Sequence, residues 1–174
     1  MSQRLPEEAV ACSHPLTQCG DGRLRVRVLD VRRMAEGVAS LELGSADGAP
    51  LPAWAPGAHI DLVLPTGAIR QYSLFGRPEE RERWRIGVLL EPAGRGGSAF
   101  IHGHVRAGDE LLAAGPRNHF ALADAEDYLF IAGGIGITPI LPMVRQVAAS
   151  RRPWKLLYGG RTRDSMAFLD ELSA

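Results

Sequence analysis

Within five residues, Arg70-Gln71-Tyr72-Ser73-Leu74 sets a guanidinium, a flat aromatic ring and a small hydroxyl side by side. In an extended strand, alternation sends Arg70, Tyr72 and Leu74 to one side and Gln71 and Ser73 to the other. The ring offers a surface for stacking, and Arg70 a charge for a phosphate. A second stretch, Gly94-Arg95-Gly96-Gly97-Ser98, runs into Ala99-Phe100-Ile101. Its glycines let backbone N–H groups approach an anion, and a helix starting behind them adds its positive end. The third is Gly133-Gly134-Ile135-Gly136-Ile137-Thr138-Pro139. It is similar to the phosphate loop of a dinucleotide-binding fold, although Pro139 stands where the usual pattern has its third glycine. Each stretch alone is ordinary: an amphipathic tyrosine on a strand, or a glycine-rich loop joining a strand to a helix.

The elements around these stretches are legible from hydrophobic periodicity. Leu24, Val26 and Val28 alternate with Arg25 and Arg27, and Ala39, Leu41 and Leu43 alternate with outward Ser40 and Glu42. Ile60, Leu62 and Leu64 follow the Pro56-Gly57 turn, and Thr66-Gly67 leads into a strand over residues 69–75. Two more strands are expected over 84–90 and 109–113. Six short strands punctuated by Gly and Pro predict a small antiparallel barrel. Past Asp127 the pattern changes. The run Tyr128-Leu129-Phe130-Ile131-Ala132 is continuously apolar, as for a strand buried on both faces. Thr138 as N-cap and Pro139 at the first helical position predict a helix carrying Ile140, Leu141, Val144, Val147 and Ala148. A second buried strand over 154–158 and a second helix from Asp164, containing Phe168 and Leu169, complete the opening of a parallel α/β sheet. The expected fold is thus a six-stranded antiparallel barrel over 23–123, then an incomplete parallel α/β nucleotide-binding domain over 124–174, with a flexible leader over 1–22.

Composition excludes several function classes. The 20 Lys+Arg balance the 20 Asp+Glu, so no global field gathers nucleic acid or an anionic membrane. No apolar run has the length of a signal peptide or a membrane span, which predicts a cytoplasmic protein. Cys12 and Cys19 are the only cysteines, and an iron–sulfur cluster takes about four thiolates. No cluster and no metal site are expected in this chain. His59, His102, His104 and His119 read as strand or loop histidines.

In their order along the chain, R-x-Y-S, G-R-G-G-S and G-G-I-G-I-T-P resemble the ferredoxin reductase superfamily. The resemblance is nearest to the phthalate dioxygenase reductase and vanillate demethylase oxidoreductase branch. It extends to Pro56-Gly57-Ala58-His59, Gly115-Pro116-Arg117-Asn118-His119-Phe120 and Phe168-Leu169-Asp170-Glu171-Leu172. The resemblance implies a flavin held by the barrel and a reduced nicotinamide presented by the α/β domain. Arg70 and Gln71 would contact the flavin phosphate and ribityl chain, Tyr72 would stack by the ring, and Ser73 would sit near its reactive nitrogen. Gly87, Val88 and Leu89 would line the flavin with backbone groups, and Arg95, Gly96, Gly97 and Ser98 would hold the phosphate. Thr138 would face the flavin from the other domain, while Gly134 and Gly136 let the nucleotide approach. Ser73 and Thr138 are therefore the implied catalytic pair, and residues 160–164 the implied adenosine ribose site.

The implied activity is that of an NAD(P)H-dependent flavin oxidoreductase, the electron-transfer component of a Rieske-type oxygenase or demethylase system. A hydride passes from NADH to the flavin, and single electrons leave for an iron–sulfur acceptor, a ferredoxin domain or the terminal oxygenase. FMN is expected over FAD because the branch that the G-R-G-G-S loop and R-x-Y-S-L resemble is one of FMN enzymes, and an arginine in a compact glycine loop suits a terminal phosphate. NADH is expected over NADPH, although Arg161 and Arg163 could pair with a 2′-phosphate. The family's C-G-P segment and four-cysteine ferredoxin domain do not occur in the sequence, which reads as a truncation. Two other readings remain open: a flavin-binding electron-relay module without NADH turnover, and a colourless nucleotide-binding domain.

Overall fold

The computed structural model describes residues 22–173. The expected leader, with Cys12 and Cys19, lies outside the described residues except for Gly22. Six strands alternate side chains between a common interior and solvent: β1 (Leu24–Ala35), β2 (Val38–Ser45), β3 (His59–Val63), β4 (Ile69–Ser73), β5 (Trp84–Leu89) and β6 (Glu110–Arg117). They form one antiparallel sheet in the order β4-β3-β6-β1-β2-β5. Its two edges meet. Leu74, just past β4, bridges Ile86 of β5, and the Phe75 amide donates to the Arg85 carbonyl at 3.0 Å. This contact closes the sheet into the expected barrel and covers its edges. The interior is filled by the inward positions the alternation marked, among them Val26, Leu41, Ile60, Leu62, Trp84 and Ile86. One position differs: Ser40, expected to face out, is buried. The first half of β2 is enclosed on both sides, and neighbouring Val38 packs into a second core.

Helix α1 (Gly97–His104) connects β5 to β6. Beyond the barrel come β7 (Tyr128–Gly133), a 3-10 turn over Gly134–Gly136, α2 (Ile137–Ala149) and β8 (Trp154–Gly159). Strands β7 and β8 pair in parallel, from Tyr128 opposite Trp154 to Gly133 opposite Gly159. A further 3-10 turn, Arg163–Ser165, precedes α3 (Leu169–Ser173). Phe130 and Ala132 pack on Ile137, Ile140, Leu141 and Val144 of α2, and this core also takes in Val38 and Phe75 from the barrel. The Phe75 and Phe168 rings meet edge-on at 4.9 Å. The barrel and the α/β part therefore share one packed seam.

Three expectations for the α/β part need correction. The strands over 128–132 and 154–158 are not buried on both faces: Leu129, Ile131 and Leu157 are about 60% exposed or more. Helix α2 covers one side of the pair, and no described element covers the other. Thr138 is not an N-cap, because the backbone already tightens into the 3-10 turn at Gly134 and α2 starts at Ile137 with Gly136 as its cap residue. The second helix does not begin at Asp164. That residue lies in the short turn capped by Thr162, whose hydroxyl oxygen accepts from the Ser165 amide. Phe168 then adopts a left-handed φ of 66°, so helical geometry can resume only at Leu169.

Candidate functional site

A cavity of about 390 Å³ opens along the seam between the barrel and the α/β part. One wall is β4, contributing Arg70, Gln71, Tyr72 and Ser73, and the floor is β5, contributing Gly87 and Leu89. One end is the glycine loop with Gly94, Arg95, Gly97 and Ser98; the opposing lip is Ile135, Gly136, Thr138 and Pro139. Barrel closure brings β4 beside β5, and the loop leaving β5 turns straight into α1. For that reason two stretches about 25 residues apart meet at one point.

The loop end is built to receive an anion. Arg70 Nη2 donates to the Arg95 carbonyl at 3.2 Å and Nη1 to the Ile69 carbonyl at 2.8 Å, which fixes the guanidinium over the loop. A Cβ on Gly97 would lie 2.6 Å from Arg70 Nε, so only glycine lets the guanidinium settle there. The Glu91 amide donates to Ser98 Oγ at 3.0 Å, drawing the loop closed and leaving the Ser98 hydrogen available to an acceptor. No side chain caps α1, and its first residues, Gly97 and Ser98, form the cavity wall. Unpaired first-turn amides and the positive end of the helix dipole favour an anion at that point. Helix α2 likewise starts without a side-chain cap on the opposing lip.

Tyr72 is half-buried beside Arg70. Burial pushes its phenol up to about 12, against the opposing pull of the Arg70 guanidinium. The ring is therefore a neutral stacking surface throughout the physiological range. In an ultraviolet pH titration, Tyr72→Phe is expected to remove a phenolate step that appears only near pH 12. The unfolded chain ionises at about pH 10, so the contribution to stability is complete below that pH and is lost as pH rises through the folded value. A titration of the variant that loses a step at about pH 10 instead would refute the burial of this ring.

Across the cavity, Thr138 is buried, and its hydroxyl donates to the Ile135 carbonyl at 2.9 Å. Its hydrogen is committed, so toward the cavity Thr138 acts as an acceptor. The approach is close. A Cβ on Gly87 would lie 2.8 Å from Thr138 Cγ2 and 3.1 Å from Ile135 Cδ1. Arg145, which the sequence reading passed over, fastens this approach: Nη1 donates to the Phe75 carbonyl at 2.6 Å, and Nε to Glu171 Oε1 at 2.8 Å.

Of the residues implied to contact the flavin or the nicotinamide, three do not line the cavity. The Val88 side chain points into the barrel core, and its carbonyl accepts from His102 Nε2–H at 2.9 Å. Gly96, with φ of 79°, supplies the bend before α1, and Gly134, with φ of 50°, the bend after β7. His102 and His104 are helical rather than strand or loop residues. His102 straps α1 to β5, and His104 stacks on Phe100 at 5.0 Å. Glu91, Ile135 and Pro139 were not anticipated on the wall. The last two lie inside a loop already recognised, whereas Glu91 gave no signal in the sequence.

Among the described residues no group of three His, Cys, Asp or Glu side chains could hold a metal ion, and no helix is long and apolar enough to cross a membrane.

A family model described as an oxidoreductase NAD-binding domain matches residues 130–174. The chain is 44% identical over 157 residues to the phthalate 4,5-dioxygenase oxygenase reductase subunit of Pseudomonas putida, covering 89% of this chain and 48% of that protein. It is 43% identical over 150 residues to the vanillate O-demethylase oxidoreductase of Pseudomonas sp. (strain HR199 / DSM 7063), covering 86% and 47%. Among solved structures, it aligns with phthalate dioxygenase reductase, described as a modular structure for electron transfer from pyridine nucleotides to a 2Fe–2S centre. That alignment has a TM-score of 0.84 and 39% identity, over 88% of this chain and 49% of that one. The chain spans about half the length of the curated relatives it matches.

Proposed function

The chain is homologous to phthalate dioxygenase reductase and vanillate O-demethylase oxidoreductase over the region they share, and on that premise we propose that it binds FMN in the seam cavity and passes electrons from NADH to an iron–sulfur acceptor. The observation that carries the reading is the meeting of Arg70–Ser73, the Gly94–Ser98 loop and Thr138 around one cavity. When bound, the flavin supplies two-electron uptake from nicotinamide and one-electron release. The chain's own residues do the rest. Arg70, the Ser98 hydroxyl and the first amides of α1 hold the phosphate, with Arg95 beside them. Gln71 would contact the ribityl chain and Tyr72 would stack by the ring, while Ser73 and the backbone of Gly87–Val88–Leu89 would line it. Thr138 would face the flavin from the α/β part as an acceptor, and Gly134 and Gly136 would let the nucleotide approach.

FMN rather than FAD is favoured because the phosphate cradle is a compact end of the cavity, suited to a terminal dianion. NADH is taken as the donor. The partner is an iron–sulfur protein or domain, a ferredoxin or the terminal oxygenase, and the setting is the cytoplasm.

Purified protein should be yellow, or become so with FMN, and chromatography of the released flavin separates FMN from FAD. Anaerobic NADH should bleach it. A colourless protein that takes up neither flavin refutes the reading, and a yellow one that NADH fails to bleach is an electron-relay module instead.

A further inference from the structure

On the outer face of the barrel, beside the flavin site, lies a second cavity of about 230 Å³ lined by Gly57, His59, Gln71, Ser73, His119 and Pro139, with Phe120 at its rim. Gln71, Ser73 and Pro139 belong to both cavities, so the two spaces share a wall. The antiparallel register puts His59 of β3 directly opposite Ser73 of β4, and Asp61 opposite Gln71. Opposed residues in such a pair project from the same face with Cβ atoms about 5 Å apart. On the other flank of β3, Arg117 of β6 stands opposite His59. The His59 ring meets the exposed His119 ring edge-on at 5.4 Å. Ser73, half-buried His59 and exposed His119 thus line one cavity in succession, from the wall shared with the flavin site to solvent.

None of the roles assigned above uses these two imidazoles. Yet electron release from a reduced flavin has a proton requirement. Two one-electron acceptors take two electrons, and the proton on the flavin's reactive nitrogen must leave with them. We propose that His59, acting through the Ser73 hydroxyl and backed by His119, accepts that proton and hands it to solvent. The flavin N–H bond breaks as an N–H bond forms on the His59 imidazole, the two electrons reduce two one-electron oxidants, and His119 returns the proton to water. His59 reaches the flavin through another residue, so it is a relay and positioning residue.

The charged groups facing His59 suit the task. Burial, the Arg117 guanidinium and His119 hold its imidazole below the usual histidine range, and Asp61 works the other way. A neutral imidazole at physiological pH is ready to accept. Arg117 Nη2 donates to Asp61 Oδ2 at 2.6 Å, and this bond, with Gln71 alongside, keeps the Asp61 carboxyl ionised despite the upward push of burial. Asp61 then stabilises the imidazolium that forms.

The inference rests on the flavin reading, and the experiment separates the two. The FMN-loaded chain is reduced with dithionite and mixed with ferricyanide, a one-electron oxidant, across pH 5.5 to 8.5, a span of about one and a half units either side of neutrality. Wild-type reoxidation is expected to slow as pH falls and His59 becomes protonated. His59→Ala should reoxidise at least about tenfold more slowly, lose that pH dependence and recover with added imidazole. His59→Gln keeps the polar volume without the titration, and should remain slow and unrescued. Independently of turnover, nuclear magnetic resonance of the imidazoles should find His59 neutral at pH 7, whether or not flavin is bound. Failure to bind FMN overturns the functional reading and this inference with it. Bound FMN with an unchanged rate and pH profile in both variants, or a His59 already protonated at pH 7, overturns the relay alone.

Discussion

Arg70→Ala is expected to weaken FMN binding roughly 10- to 150-fold, read from the quenching of flavin fluorescence on titration. The estimate follows from a hydrogen bond to a charged partner, worth about 1.5–3 kcal/mol. The guanidinium does not need the ligand to be positioned. It already donates to the Arg95 and Ile69 carbonyls and lies over Gly97, so little entropy is lost when a phosphate arrives. Arg70→Lys should recover only part of the loss, because an ammonium supplies the charge without the planar fork. Gly97→Ala approaches the same point from the other side, since its methyl would displace Arg70 Nε. Equal affinity in wild type and Arg70→Ala would remove the phosphate from this end of the cavity.

Gly57→Ala is expected to cost about 2–5 kcal/mol of folding stability. Two terms add: about 1–2 kcal/mol for an L side chain at positive φ, and about 1–3 for forcing atoms into packed space. Gly57 has φ of 92°, and a Cβ there would fall 1.9 Å from the Phe120 carbonyl oxygen and 2.8 Å from Met143 Cε. The oxygen is backbone, so the chain at Phe120 must move. It is held by Asn118, whose Nδ2 donates to the Pro56 carbonyl at 2.9 Å while its Oδ1 accepts from the Phe120 amide at 3.0 Å. Gly67→Ala is the control. Its φ is 79°, but nothing lies within 4 Å of the added methyl, so only the first term applies. Urea unfolding of the three proteins separates the terms. Equal losses in both variants would show that the Phe120 contact contributes nothing.

Much of this architecture could be read before any coordinates. Strands β1, β2 and β3 follow from alternation, because one face of each must be apolar to fill the interior, and the Gly and Pro turns mark out the other three. The site-bearing stretches were legible for a related reason: Arg70 to Ser73 sits on such a strand, and the glycines of 94–97 and 133–136 mark places where backbone approaches something closely.

What the sequence misjudged has a common physical cause. A run such as Leu129-Phe130-Ile131 is apolar on both faces, but local composition cannot say what will cover each face, and here α2 covers only one. Thr138-Pro139 has the residues of a helix start, yet the closure over Gly134–Gly136 begins the turn earlier and leaves the threonine to accept within the cavity. Arg145 gave no local signal, since its partners at Phe75 and Glu171 are 70 and 26 residues away.

The sequence by itself determined the elements and the chemical character of the candidate site, because alternation, glycine freedom and motif order are properties of near neighbours along the chain. Only the tertiary structure decided which of those residues share a cavity. Barrel closure at Leu74–Ile86 sets β4 beside β5, and the seam around Phe75 brings Thr138 within contact of Gly87. The register of β3 on β4 puts His59 opposite Ser73. These are long-range pairings, fixed by packing and hydrogen-bond register rather than by residue type.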